Sequence, residues 1–236
     1  MSFVPALHAE WIKIRTLRPL LGALAAVLLA TAAFSVLAAA DGDDADPLYS
    51  VFFGVNVGQV AAIAFGTTAV ASEFRGGALR LTLSAVPDRG RWFAAKTTAI
   101  ALPALAVGLL TGFVTLLTGR AALGASAPGW AEGLRGAVGC GLHLALMTLF
   151  AAGLAAVLRS AVATLAVLIP FLLIVSFVVG DLSGGAADFL PDRAGQVALH
   201  NTWDGALGPW SGLAVTALWT AAALVAGGWS VRRRDA

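Results

Sequence analysis

Six long, uninterrupted apolar runs set the pattern of the chain: 20–40, 51–71, 94–118, 136–158, 161–180 and 210–231. A helix needs about 20 apolar residues to cross the hydrocarbon core of a bilayer. Backbone N–H and C=O groups in lipid must be paired within the protein. These runs are continuous rather than alternating, so helices are expected and barrel strands are not. The expected fold is all-α: a polytopic membrane protein with six transmembrane helices, forming one transmembrane domain over residues 1–236.

Between the runs the pattern changes. Residues 5–18, PALHAEWIKIRTLR, place Leu7, Trp11 and Ile14 at i, i+4 and i+7, with Glu10, Lys13 and Arg15 pointing elsewhere. The segment is too short and too charged to cross, so a helix lying in the membrane interface is expected, a frayed basic leader being the alternative. Pro5 suits a helix start, and Pro19 marks a break before the first span. Residues 72–93, SEFRGGALRLTLSAVPDRGRWF, form the second interruption. Gly76 and Gly77 make a natural bend. Residues 78–86 read as a short amphipathic helix, with Arg80 and Ser84 on one face and apolar residues over most of the rest. Pro87 ends it, and Asp88-Arg89-Gly90 is turn chemistry. Leu158-Arg159-Ser160 is a very short turn. The longest segment outside the runs, 181–209, mixes Phe189, Leu190, Val197 and Leu199 with His200, Asn201, Trp203 and Asp204. It admits two readings, a short re-entrant helix or a surface loop.

Composition agrees with a membrane class. The chain is 59% hydrophobic and 12% charged, half the roughly 25% charge of an average soluble domain. Its mean hydropathy of +0.87 leaves too little polar surface to coat a water-soluble globule. Orientation follows from the cations. With the N-terminus in the cytoplasm, twelve of the 15 Lys and Arg residues fall in cytoplasmic segments. Only Arg120, Arg135 and Arg193 fall outside. Asp41, Asp43, Asp44 and Asp46 crowd one outer loop. Both termini are therefore expected inside. Trp11, Trp92 and Trp229 then mark the inner interface, and Trp130, Trp203 and Trp210 the outer one. Trp11, Lys13, Arg15, Trp92 and Lys96 are the expected interfacial anchors. The N-terminus imitates a signal peptide, but a signal h-region is usually about 7–15 residues, and the 21 uncharged residues of 20–40 read as a retained span. Thirteen Arg against two Lys, with abundant Ala and Gly, point to a GC-rich bacterial genome and a bacterial plasma membrane.

Intramembrane chemistry has little support. The single cysteine, Cys140, excludes an intramolecular disulfide and any multi-cysteine metal site. His143 is the one ionisable candidate within a span core. No Asp, Glu or second His stands in a span core to make an acid–base pair or a metal site, so no catalytic or metal residue is expected. Asn56 and Gln59 need polar partners in the second span. They either line a substrate path or join helices. Pro170 is expected to kink the fifth span. Gly54 and Gly58 form a GxxxG that permits close helix approach, within one subunit or between two. No internal repeat, direct or inverted, is visible, which argues against a secondary transporter.

The stretch Glu73-Phe74-Arg75-Gly76-Gly77-Ala78-Leu79-Arg80-Leu81-Thr82-Leu83, then Pro87, Arg89 and Ala95-Lys96, resembles ABC-2 type permeases, the membrane subunits of bacterial ATP-binding cassette exporters. The pattern there is roughly E-[FY]-R-x-G-[TA]-[LI]-R-x-T-L, then P-x-R, then A-K opening the third span. Glycine rather than Thr or Ser around Gly77 is a mild variation. The likeness extends to the basic interfacial helix, six spans, the tight second inner turn, the long last outer loop and the basic tail. It implies that 72–93 is a coupling loop seated on a cytoplasmic ATPase, through Glu73, Arg75, Gly76, Gly77, Leu79, Arg80, Thr82 and Leu83. It makes Arg159 the second, smaller contact and 5–18 the connecting helix. It places Asn56, Gln59 and Pro170 beside the substrate path. No G-x-x-x-x-G-K-[ST] occurs, so the chain itself is not expected to be an enzyme or to bind a cofactor. ATP and Mg²⁺ would sit on the partner ATPase. A second permease copy or a sister permease would complete the complex, with membrane lipid around it and no nucleic acid. A non-transporting membrane partner of an ATPase, such as a sensor or immunity subunit, is the alternative, and a membrane-embedded enzyme the weakest reading.

Overall fold

The computed structural model describes residues 3–41, 46–172, 185–203 and 205–233. Residues 173–180 of the fifth expected span, with Asp43, Asp44, Asp204 and Arg234, lie outside the described residues. The chain is helical throughout, and no strand occurs among the described residues.

The first helix, α1 (Phe3–Thr16), is amphipathic and packs its buried side against the later helices. The chain breaks at Leu17, and α2 (Arg18–Asp41) follows at once. Pro19 therefore sits in the first turn of α2, where its missing N–H costs nothing. The second expected span is built from α3 (Pro47–Phe52) and α4 (Val55–Ala71), with one 3₁₀ turn, Ser72–Phe74, after them. The side chain of Asp46 caps α3 by accepting from Leu48 and Tyr49 N–H. A short helix, α5 (Ala78–Ala85), precedes α6 (Arg89–Leu123), which is followed by α7 (Trp130–Leu158) and α8 (Ala161–Pro170). At Pro170 α8 gives way to a π-helical Phe171–Leu172. Proline has no N–H for the α ladder, and a π turn is one way to absorb that loss. The chain closes with α9 (Pro191–Gln196), between 3₁₀ turns Ala186–Phe189 and Val197–Leu199, and with α10 (Pro209–Arg233).

Five of these segments are long and apolar enough to cross a membrane: Arg18–Ala40, Pro47–Phe74, Arg89–Ser126, Trp130–Leu158 and Pro209–Arg233. The described part of the fifth expected span, Ala161–Pro170, is an apolar helix too short to cross alone. Helices α6 and α7 begin five or six residues before the apolar runs 94–118 and 136–158. Apolar runs mark the part of a helix that lipid requires; the helix itself continues while its backbone bonds and caps allow. Asp88 supplies such a cap, its carboxylate accepting from Arg91 N–H at 3.0 Å.

Helix α7 is central, packed against α4, α6 and α10, and α2 packs against α4 and α6. Small residues let these backbones meet, as expected where packing and not water drives helix association. A Cβ on Gly108 would stand 2.8 Å from the Gly141 carbonyl, joining α6 to α7. A Cβ on Gly54 or Gly58 would collide with Thr31. The GxxxG is thus used within the chain, between α2 and α4.

Candidate functional site

Two places gather polar groups, one at each end of the bundle. At the α5 end, α1 lies against α6. The buried stripe of α1 is Ala6, Glu10 and Ile14, so Glu10 faces inward, contrary to the expectation that it points away. It is only 2% exposed. What it meets explains this. Lys96 on α6 donates to Glu10 Oε2 at 2.7 Å and to Glu73 Oε1 at 2.7 Å. Lys13 donates to Glu10 Oε1 at 2.9 Å and to Glu73 Oε1 at 2.8 Å. Each lysine bridges both glutamates, and the four charges cancel. Trp92 Nε1–H donates to Glu10 Oε1 at 3.3 Å, and the Thr82 hydroxyl to Glu73 Oε2 at 3.3 Å. The cluster thereby ties α1, the turn after α4, α5 and α6 to one another. Burial pulls the Lys13 ammonium down, but the hydrogen bond to Glu73 and the charge of Glu10 outweigh it, and its pKa ends above the ordinary 10.5.

These contacts correct two expectations. Trp92 and Lys96 are not headgroup anchors: at 1% and 3% exposed they face the protein interior. Glu73 does not present itself to a partner; it is 5% exposed and committed to the cluster. The sequence ranked these residues by their nearness to a span end, and their partners are distant in the chain. Of the other expected anchors, Arg15 is exposed and Trp11 half-buried.

Helix α5 is two-faced. Leu79 is 4% exposed and shares a core with Ala6, Ile14, Val86 and Trp92, with Leu83 packed beside it. Arg80 and Leu81 lie on the other face, and Leu81 is 75% exposed. Gly76 and Gly77 enter the helix with φ of 60° and 75°, left-handed values that suit glycine. Arg75 is exposed beside them. Arg159 also takes a left-handed φ of 55° as it ends α7. Its guanidinium turns back to the bundle, 5.3 Å from the Phe74 ring and 3.4 Å from the Ser230 carbonyl. It thus joins the α5 loop to the end of α10.

At the other end the segment expected as either a re-entrant helix or a loop folds into the bundle. Ala194 and Ala198 are 0% and 1% exposed. Gly195 lies so close to His143 that a Cβ would collide with its Nδ1. Beside this segment is a cavity of about 550 Å³. Asn56 and Gln59 both line it, and so do Tyr49, Phe53, Leu172 and Arg193. Asn56 donates to the Tyr49 hydroxyl at 3.2 Å and the Phe53 carbonyl at 3.0 Å. Gln59 Oε1 is 3.2 Å from His143 Nε2, so this amide lines the cavity and also joins α4 to α7. Pro170 is exposed on α8 and does not line the cavity; Leu172, just beyond it, does. At the rim, His200 Nδ1 is 3.2 Å from Asp46 Oδ2, and its ring stacks on Tyr49 with centroids 4.4 Å apart.

Sequence reading passed over Leu81, Glu10 and His200. Leu81 was hidden among apolar neighbours, although its place on the Arg80 side of a helical wheel marks it. Glu10 and His200 carried no signal, because their partners are remote. No protein-family model and no curated protein matches the chain.

Proposed function

We propose that this chain is the membrane subunit of an ATP-driven exporter, and that α5 is the element through which a separate cytoplasmic ATPase moves it. The observation that carries this reading is the two-faced α5. Its inner face is keyed to α1 and α6 through Leu79, Thr82 and the Glu10–Lys13–Glu73–Lys96 cluster. Its outer face offers Arg80 and a Leu81 that is 75% exposed. A push on that face reaches α6 through buried ion pairs, and α6 packs along α7. The resemblance of residues 73–96 to ABC-2 permeases supports the same assignment, and the cationic bias puts α5 in the cytoplasm. On this reading the termini are cytoplasmic, 161–180 is the fifth of six spans, and the cavity near Gln59 belongs to the export path. ATP and Mg²⁺ act on the partner, and a second permease subunit completes the complex.

The test is co-purification of the chain from its native membranes, with ATPase activity measured in lipid. A P-loop ATPase should accompany the native chain. Arg80→Glu and Leu81→Asp should each lower its recovery by about tenfold or more, the equivalent of about 1.4 kcal/mol, without changing the thermal unfolding of the chain. Undiminished recovery with both variants would sink the assignment of α5. An ATPase that binds but whose turnover moves no cargo would instead return the alternative of a non-transporting membrane partner.

A further inference from the structure

We infer that the cavity beside Gln59 binds a zwitterion with an apolar body, its anionic group on Arg193 and its ammonium on Asp188. This rests on the reading of that cavity as part of the export path, and it names the class of cargo.

The charges carry the inference. Asp188 and Arg193 both line the cavity. They have opposite sign, yet among the described residues neither side chain makes an ion pair or hydrogen bond, with the other or with anything else. The remaining charged groups there are accounted for. Asp192 is 4% exposed and has a partner, and His200 is held by Asp46. Among the described residues the cavity therefore presents one carboxylate and one guanidinium without a counter-charge. A simple anion would satisfy Arg193 and face repulsion from Asp188; a simple cation would do the reverse. A ligand carrying both charges satisfies both, and charge-assisted hydrogen bonds are the stronger kind.

Two further observations point to a ligand. Gln59 is 3% exposed and lines the same cavity, one end of its amide held by His143. The other end is open to the cavity and can donate to a ligand there. Gly205 stands where a Cβ would come within 2.9 Å of Asp188 Oδ2, so the glycine leaves that carboxylate its place. The walls supply the apolar contact through Tyr49, Phe53 and Leu172. The volume of about 550 Å³ is that of a small-molecule site.

The experiment is titration calorimetry on the full chain in a non-ionic detergent, without any ATPase. One probe set is the dipeptide Leu-Phe, its N-acetyl form and its C-terminal amide. The other is dihexanoyl phosphatidylethanolamine and its N-acetyl form. The zwitterion should bind about tenfold or more tighter than each singly charged derivative, the loss of one charge contact. Asp188→Asn should erase the preference over the N-acetyl form and keep the preference over the amide. Arg193→Gln should do the opposite. If Asp188→Asn does not fold, Arg193→Gln carries the test through loss of the preference over the amide. Binding of the dipeptide set alone identifies a soluble zwitterion, and of the lipid set alone a headgroup. Equal binding of zwitterions and singly charged forms, binding of neither set, or preferences that survive in the variants would overturn the inference. A chain that discriminates zwitterions but recovers no ATPase keeps this site and loses the exporter reading; docking without discrimination does the reverse.

Discussion

At the scale of residues, the Glu10–Lys13–Glu73–Lys96 cluster is the most consequential feature. Desolvating charges is expensive, and mutual pairing recovers the cost only while every member is present. Replacing Lys96 by Met would leave two buried carboxylates sharing one partly exposed lysine. Lys96→Met should therefore destabilise the chain by about 3–5 kcal/mol, read as a fall in its thermal unfolding temperature in detergent. Arg15→Ala, on the exposed side of α1, should stay within about 0.5 kcal/mol. The pH dependence has a definite sign. Lys13 is raised above 10.5 in the folded chain. Its contribution is fully present below its unfolded pKa and is lost as pH rises through the folded value. Unfolding temperature should thus hold from neutral pH to about 10 and then fall, and Lys13→Met should flatten that alkaline fall. None of this was legible in the sequence, because Lys96 and Glu10 meet across 86 residues. Periodicity in α1 found the apolar stripe but had no means of placing an acid upon its buried side.

At the scale of elements, α5 was legible almost to the residue, and the reasons are local. Two glycines, a run of good helix formers and a proline stop are short-range signals, and the observed helix Ala78–Ala85 lies within the expected 78–86. Its entry depends on Gly76 and Gly77, both in the left-handed region. A Cβ there costs roughly 1–2 kcal/mol per residue. Gly77→Ala should therefore loosen α5 without unfolding the bundle. Amide exchange across 78–85 should rise roughly tenfold while exchange in α7 stays unchanged; equal protection in both would show that the left-handed entry is dispensable. Helix ends were less legible than helix existence. Residues 94–118 were read from apolarity, yet α6 runs Arg89–Leu123, carried past the lipid-compatible stretch by the Asp88 cap. The turn Val197–Leu199 and α9 were not legible, because their burial comes from packing against α7 and α10.

At the scale of the whole molecule, the two candidate sites lie at opposite ends of one helical bundle, and α6 runs the distance between them. At 1.5 Å per residue its 35 residues reach about 52 Å, well beyond a hydrocarbon core of about 30 Å. A single helix, with Pro103 inside it, thus has one end in the four-charge cluster and is long enough to reach past the far side of such a core. The arrangement fits a device that takes force at one surface and changes a cavity at the other, provided α5 is cytoplasmic. Charge asymmetry makes that a testable statement. Cys140 is buried, so the native chain offers no accessible thiol of its own. Leu81 and Ser126 are exposed at the two ends. Leu81→Cys should react with a membrane-impermeant maleimide only in inside-out vesicles, and Ser126→Cys only in right-side-out cells. The reverse pattern would place α5 outside, away from any ATP-driven motor, and both the coupling assignment and the direction of export would fall with it.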